Sequence, residues 1–187
     1  MYEPPKLTED DGYEALRGHV VDKALAARKK HGPLADEQAV RALLADKDVV
    51  RFPTTLTFDA SRLRPGEFAY AAPNGLRPAD GFTLSVHPHF EHRPEALALL
   101  VAYHIPTINY LDVVTNREAE LYGAALLGLS VDAYYTRLCT LADELGGPAI
   151  PEPELPVAEV PAMHSCSCGA GAGSCGGGLT GRPLPES

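Results

Sequence analysis

Three of the seven histidines lie within six residues, in the segment His87, His89, Glu91 and His92. If the strand predicted from Phe82 continued through this segment, His87, His89 and Glu91 would project from one face, because alternate strand residues share a face. Imidazole nitrogen and carboxylate oxygen are ligands that Zn²⁺ and Fe²⁺ accept. The segment therefore predicts a metal site formed by these four residues. A polar strand face exposed to solvent is the alternative explanation.

The same segment resembles the His-x-His-x-Asp-His motif of the metallo-β-lactamase fold. His87, His89 and His92 stand at the histidine positions, and Glu91 stands where that family has aspartate. The resemblance implies metal ligation where a strand passes into a helix. The family's further ligands have no counterpart, since no histidine follows His104 until the C-terminal segment. The motif therefore does not assign the chain to that family.

A second group of candidate ligands, His164, Cys166, Cys168 and Cys175, lies in a glycine-rich C-terminal segment. In an extended Cys-x-Cys both sulfurs lie on one side, and the glycine spacer allows Cys175 to approach them. Thiolates bind Cu⁺, Zn²⁺ and iron-sulfur units. These residues predict a transition metal cofactor, which is Zn, Fe or Cu. Incidental thiols are the alternative.

The C-terminal segment also has a different explanation. Cys and Ser embedded in glycine resemble the core of a ribosomally synthesised modified peptide, and Gly146-Gly147 resembles a leader cleavage site. That resemblance implies a leader over residues 1–147, although leaders are normally much shorter. Three functions thus stay open: a metal-handling accessory protein, which ranks first, a precursor of a modified peptide, and a small metal-dependent enzyme using the histidine cluster.

Other residues with reactive side chains have structural explanations. Cys139 lies at helical spacing from Tyr135, so packing explains it better than nucleophilic catalysis. His104 lies on an apolar helix and is expected to be a hydrogen-bonded core histidine. The chain contains no phosphate loop, dinucleotide fingerprint or nucleophile elbow. The sequence therefore leaves catalysis open.

The periodicity of apolar residues predicts two helices, three strands and then three helices. A capping box of Thr8 and Asp11 predicts a first helix to residue 30, and a second covers 35–45. Strands are predicted over 49–59, 67–71 and 82–86, with a turn at Pro73-Asn74-Gly75. Helices are then predicted over 95–103, from Thr115 to 127 and from Ser130 to 145.

This order predicts an α+β fold, because strands and helices do not alternate regularly. The expected architecture has two N-terminal helices, a small, mostly antiparallel sheet of three strands, and three further helices. We expect one globular domain over residues 1–147. Residues 148–187, rich in Pro, Gly and Cys, are expected to form a disordered tail.

Composition restricts the partners of the chain. Its 187 residues are 45% hydrophobic and carry a net charge of −9, which disfavours nucleic acid and anionic membrane surfaces. The first twelve residues lack the apolar run of a secretory signal, and the longest apolar stretch, 96–103, is shorter than a membrane span. We therefore expect a cytoplasmic protein, with the tail available to a protein partner. Frequent Ala, Leu, Arg, Gly and Pro with few Lys or Asn favour a bacterial source.

Overall fold

The computed structural model describes residues 8–146 and shows five helices and three strands there. The predicted α+β order is confirmed. The predicted tail and its four candidate ligands lie outside the described residues. The elements are α1 (Glu9–His31), α2 (Glu37–Ala45), β1 (Thr54–Phe58), β2 (Ala69–Pro73), β3 (Phe82–Val86), α3 (Pro94–Tyr110), α4 (Asn116–Leu127) and α5 (Val131–Glu144).

Side-chain caps fix where the helices begin. At α1, the Thr8 hydroxyl accepts from the backbone N–H of Asp11 and the Asp11 carboxylate accepts from the Thr8 N–H. Thr115 and Glu118 form the same reciprocal pair at α4, and Ser130 caps α5. These caps satisfy backbone donors that the first helical turn leaves without partners. The capping box predicted at Thr8 and Asp11 is confirmed, and Thr115 is the cap of α4, in line with the helix predicted from that residue.

The sheet is mixed, with β3 in the centre. β2 pairs antiparallel to β3, as expected, whereas β1 pairs parallel to it. The prediction of a mostly antiparallel sheet is therefore wrong for half of the pairing. The reason is that β2 follows β1 in sequence but lies on the far side of β3. The chain therefore reverses direction twice between β1 and β3, so these two neighbouring strands run the same way. The predicted first strand is also too long at both ends, because residues 49–53 form the end of a turn and a bend before β1, and β1 ends at Phe58.

Helix α3 is the central element of the fold. It contacts the sheet through β2 and β3, and it contacts α2, α4 and α5. It begins at Pro94, one residue before the predicted start, and it continues past the predicted end at Tyr103 to Tyr110, with Pro106 in its interior. Proline removes a backbone donor, and the burial of Ile105 and Ile108 on either side offsets that loss.

The stretch Pro94–Val113 is long and apolar enough to cross a membrane by length and composition alone. Its most apolar window has a mean hydropathy of 1.3, and 56% of that window is buried inside the structure. Such burial is typical of the core helix of a globular domain.

Candidate functional site

The histidine segment forms a turn, not a strand. β3 ends at Val86, and Pro88 begins a 3₁₀ turn over Pro88–Phe90. The predicted continuation of the strand to Glu91 is therefore wrong. Proline has no N–H to donate to a strand ladder and its fixed φ suits the start of a helical turn. His87 caps the turn, since its Nδ1 accepts from the backbone N–H of His89 at 3.2 Å.

This histidine turn, defined by His87 and His89, keeps the two imidazoles close together. Their ring centroids are 6.4 Å apart and the ring planes make an angle of 62°. That separation is about 1 Å wider than two imidazoles occupy around one tetrahedral ion with metal–nitrogen bonds of about 2.1 Å, so the rings must move closer to share an ion. The His89 ring also packs edge-on against buried Phe90, at 5.0 Å between centroids.

Glu91 and His92 follow the turn and are exposed. Within residues 8–146, no three His, Cys, Asp or Glu side chains are grouped closely enough to hold one metal ion. The structure therefore brings two of the four predicted ligands together, His87 and His89, and does not add Glu91 or His92 to them.

A carboxylate from the end of α5 contacts the histidine turn. Glu144 Oε2 lies 3.1 Å from Nε2 of His89, and Arg93 binds both Glu144 oxygens through its two terminal nitrogens. The hydrogen bonds from Arg93 and then from His89 lower the pKa of Glu144 to about 2. The Arg93 guanidinium also lies over the Phe90 ring, 5.5 Å from its centroid. Glu144 is thus an ionised partner that fixes the His89 ring.

Sequence reasoning missed Glu144 because it lies 55 residues from His89 in the chain. No local pattern joins a turn after β3 to the last turn of α5. One available signal was Arg93, directly before the start of α3, where the helix dipole disfavours a cation that has no carboxylate partner.

His87 faces a recess of about 360 Å³ on the other side of this junction. Pro65 and Gly66 line one wall, and Leu145 and Gly146 line another. Because His87 Nδ1 accepts a backbone hydrogen bond, the outer nitrogen Nε2 of the neutral ring carries the proton and can donate to a ligand. The recess gives a small ion or molecule access to that side of the turn.

Three other side chains with reactive groups, those of His104, Cys139 and Glu118, lie partly or fully buried in the domain. Burial lowers the pKa of His104 to about 4, and its Nε2 has no hydrogen-bond partner among residues 8–146. The hydrogen bond expected for a core histidine is therefore missing at that atom. Cys139 is half-buried and adjoins Tyr135 on its own helix. Glu118, fully buried, caps α4 and binds Arg17 at 3.1 Å.

Comparison of this chain with protein-family models, curated proteins and solved structures finds no match.

Proposed function

We propose that this protein is a metal-handling accessory protein. Its two sets of ligands are His87 and His89 on the folded domain, and the residues His164, Cys166, Cys168 and Cys175 of the C-terminal segment. The observation that carries the proposal is the histidine turn, in which two imidazoles lie 6.4 Å apart and Glu144 contacts the Nε2 atom of one of them.

The contact with Glu144 has a chemical consequence for His89. Metal-ligating histidines usually donate their second ring N–H to a carboxylate, which fixes the tautomer and makes the other nitrogen more basic. When Nε2 of His89 donates to Glu144, Nδ1 carries the lone pair that binds an ion. His87 supplies the second donor atom when an ion displaces the backbone hydrogen bond at its Nδ1.

A site with two protein ligands suits transfer better than storage. Structural zinc sites use four protein ligands and catalytic sites three, so a two-histidine site leaves positions open for water or for a second donor. Such a site exchanges its ion readily. The thiolates of the C-terminal segment prefer soft ions such as Cu⁺, whereas imidazole also accepts Zn²⁺ and Fe²⁺.

The test is metal titration of the full chain, separately with Zn²⁺ and Cu⁺, followed by calorimetry and thiol reactivity. Substituting His87→Ala and His89→Ala together is expected to remove a Zn²⁺ site, and His92→Ala is the matched control. Substituting Cys166→Ser alone is expected to weaken Cu⁺ binding, so that the thiols of Cys168 and Cys175 react faster in the presence of the metal. Unchanged Zn²⁺ binding in the histidine variant, with fully reactive thiols in excess metal, would contradict the proposal.

A second candidate, the precursor of a modified peptide, is favoured by the position of Gly146. It is exposed, has a φ of 59°, and lies two residues after the end of α5. The two candidates differ in the mass of protein purified from its native host. Losses of about 18 or 20 mass units per modified residue identify a precursor, whereas an unmodified chain with bound metal supports metal handling.

A further inference from the structure

A cleft with basic side chains lies on the domain away from the histidine turn. It has a volume of about 370 Å³ and is formed by α1, the segment that follows α2, and the last turn of α3. We call it the basic cleft and define it by His19, Lys23, Lys47, Arg51, Asn109 and Tyr110. A volume of this size accommodates a small molecule.

The charge of the basic cleft is opposite to that of the whole chain. The chain carries −9, yet Lys23, Lys47 and Arg51 line this one cleft, and none of the three forms an ion pair among residues 8–146. The lining carboxylate, Asp48, has a side chain that is 84% exposed and bound to Lys30. Unpaired cations grouped in a cleft focus a positive potential on its interior.

The backbone beside Arg51 is held in place from α3. The side-chain oxygen of Asn109 accepts from the Arg51 N–H at 2.8 Å, and its amide nitrogen donates to the Val49 carbonyl at 2.7 Å. The Arg51 guanidinium also lies 5.3 Å from the centroid of the Phe52 ring. The backbone that carries Arg51 is thus fixed before any ligand binds, which reduces the entropy cost of binding.

An aromatic wall completes the basic cleft. The rings of His19 and Tyr110 meet edge to face at 5.8 Å between centroids. Burial raises the pKa of Tyr110, and the positive charge of Arg51 opposes that rise. The phenol is therefore neutral at physiological pH, and it lines the same cleft as the Arg51 cation.

We infer that the basic cleft binds a small molecule bearing an oxyanion, either phosphate or carboxylate. The forked guanidinium of Arg51 matches the paired oxygens of both groups, and Lys23 and Lys47 neutralise further charge. The inference is independent of the proposed metal function, because no residue of the cleft is a proposed metal ligand.

The experiment is calorimetric titration of the full chain with inorganic pyrophosphate and with citrate, at low ionic strength. One saturable site is expected, and Arg51→Gln and Lys47→Gln should each weaken it about tenfold. Lys29→Gln is the matched control, because Lys29 is exposed on α1 and does not line the cleft. That variant should bind within about twofold of the parent chain. Thermal unfolding of each variant confirms that the domain remains folded.

Preference for pyrophosphate or for citrate identifies phosphate or carboxylate as the recognised group. Absence of saturable binding with both probes would overturn the inference. Equal weakening by Lys29→Gln would also overturn it, because general surface attraction would then explain the binding. Binding of a long acidic peptide, without binding of either small probe, would assign the cleft to a protein partner and contradict the small-molecule site.

Discussion

Two polar atoms in the domain are buried without a hydrogen-bond partner among residues 8–146, Nε2 of His104 and the hydroxyl of Tyr122. Most buried polar atoms in folded proteins are paired, because an unpaired one loses its hydration without replacement. The sequence predicted that His104 lies on an apolar helix, which is correct, although the predicted range ended one residue before it. It could not predict the missing partner, since that depends on which elements pack against α3.

The first prediction concerns His104 and acid. Burial lowers its pKa to about 4, against about 6.5 in the unfolded chain, so the unfolded state binds a proton first as pH falls. The native domain should therefore lose stability between pH 6.5 and 4, by at most about 3 kcal/mol from this residue. In the His104→Leu variant this residue no longer titrates, so its contribution to the loss of stability in acid should be absent. Urea unfolding of both chains across that range measures the free energy of unfolding.

The control for this prediction is Ile108→Val, a change in a buried side chain of the same helix that adds no titrating group. This substitution should lower the free energy of unfolding by about 0.5–1.5 kcal/mol at every pH. A difference between His104→Leu and the parent chain that does not vary with pH would show that the ring nitrogen reaches water in the folded state.

At the scale of elements, contacts between residues close in the chain could be predicted from the sequence, and contacts between distant residues could not. Thr8 with Asp11, and Thr115 with Glu118, are three residues apart, so each helix start is encoded locally. The parallel pairing of β1 with β3 joins Thr54 to Phe82, and no local pattern encodes that register. The histidine turn was misjudged for another reason, because the proline effect at Pro88 overrides the alternation of its neighbours.

The second prediction compares two helical glycines. A Cβ on Gly123 of α4 would overlap the ring of Tyr134 on α5, and that ring is fixed by a 2.7 Å hydrogen bond from its hydroxyl to the Leu99 carbonyl. Gly123→Ala should therefore destabilise the domain by about 1–3 kcal/mol, although alanine favours helix. Gly18→Ala on α1 meets no atom within 4 Å and should stabilise by about 0.5–1 kcal/mol.

Thermal unfolding of the two alanine variants measures both effects with the same substitution. Opposite signs are expected. Stabilisation by Gly123→Ala would mean that α4 and α5 separate easily and that their close packing contributes little to the fold.

At the scale of the whole molecule, the α+β class was predictable because it needs only the order of elements. The candidate site was predictable in part. His87 and His89 were named from sequence, whereas Glu144 and the basic cleft arise from contacts between distant segments. Arg51 and Asn109, for example, are 58 residues apart and become neighbours only when α3 packs against the segment after α2.

The last prediction concerns residues 148–187, whose Pro- and Gly-rich sequence offers few apolar side chains to offset the entropy of ordering. The buried apolar side chains of the described residues lie between Val20 and Leu141, so that core does not require the C-terminal segment. Deleting 148–187 should change the melting temperature by less than about 2 °C. The Cu⁺ binding assigned to the thiolates should disappear, while Zn²⁺ binding at the histidine turn should persist. A large fall in melting temperature would instead show that the segment packs on the domain.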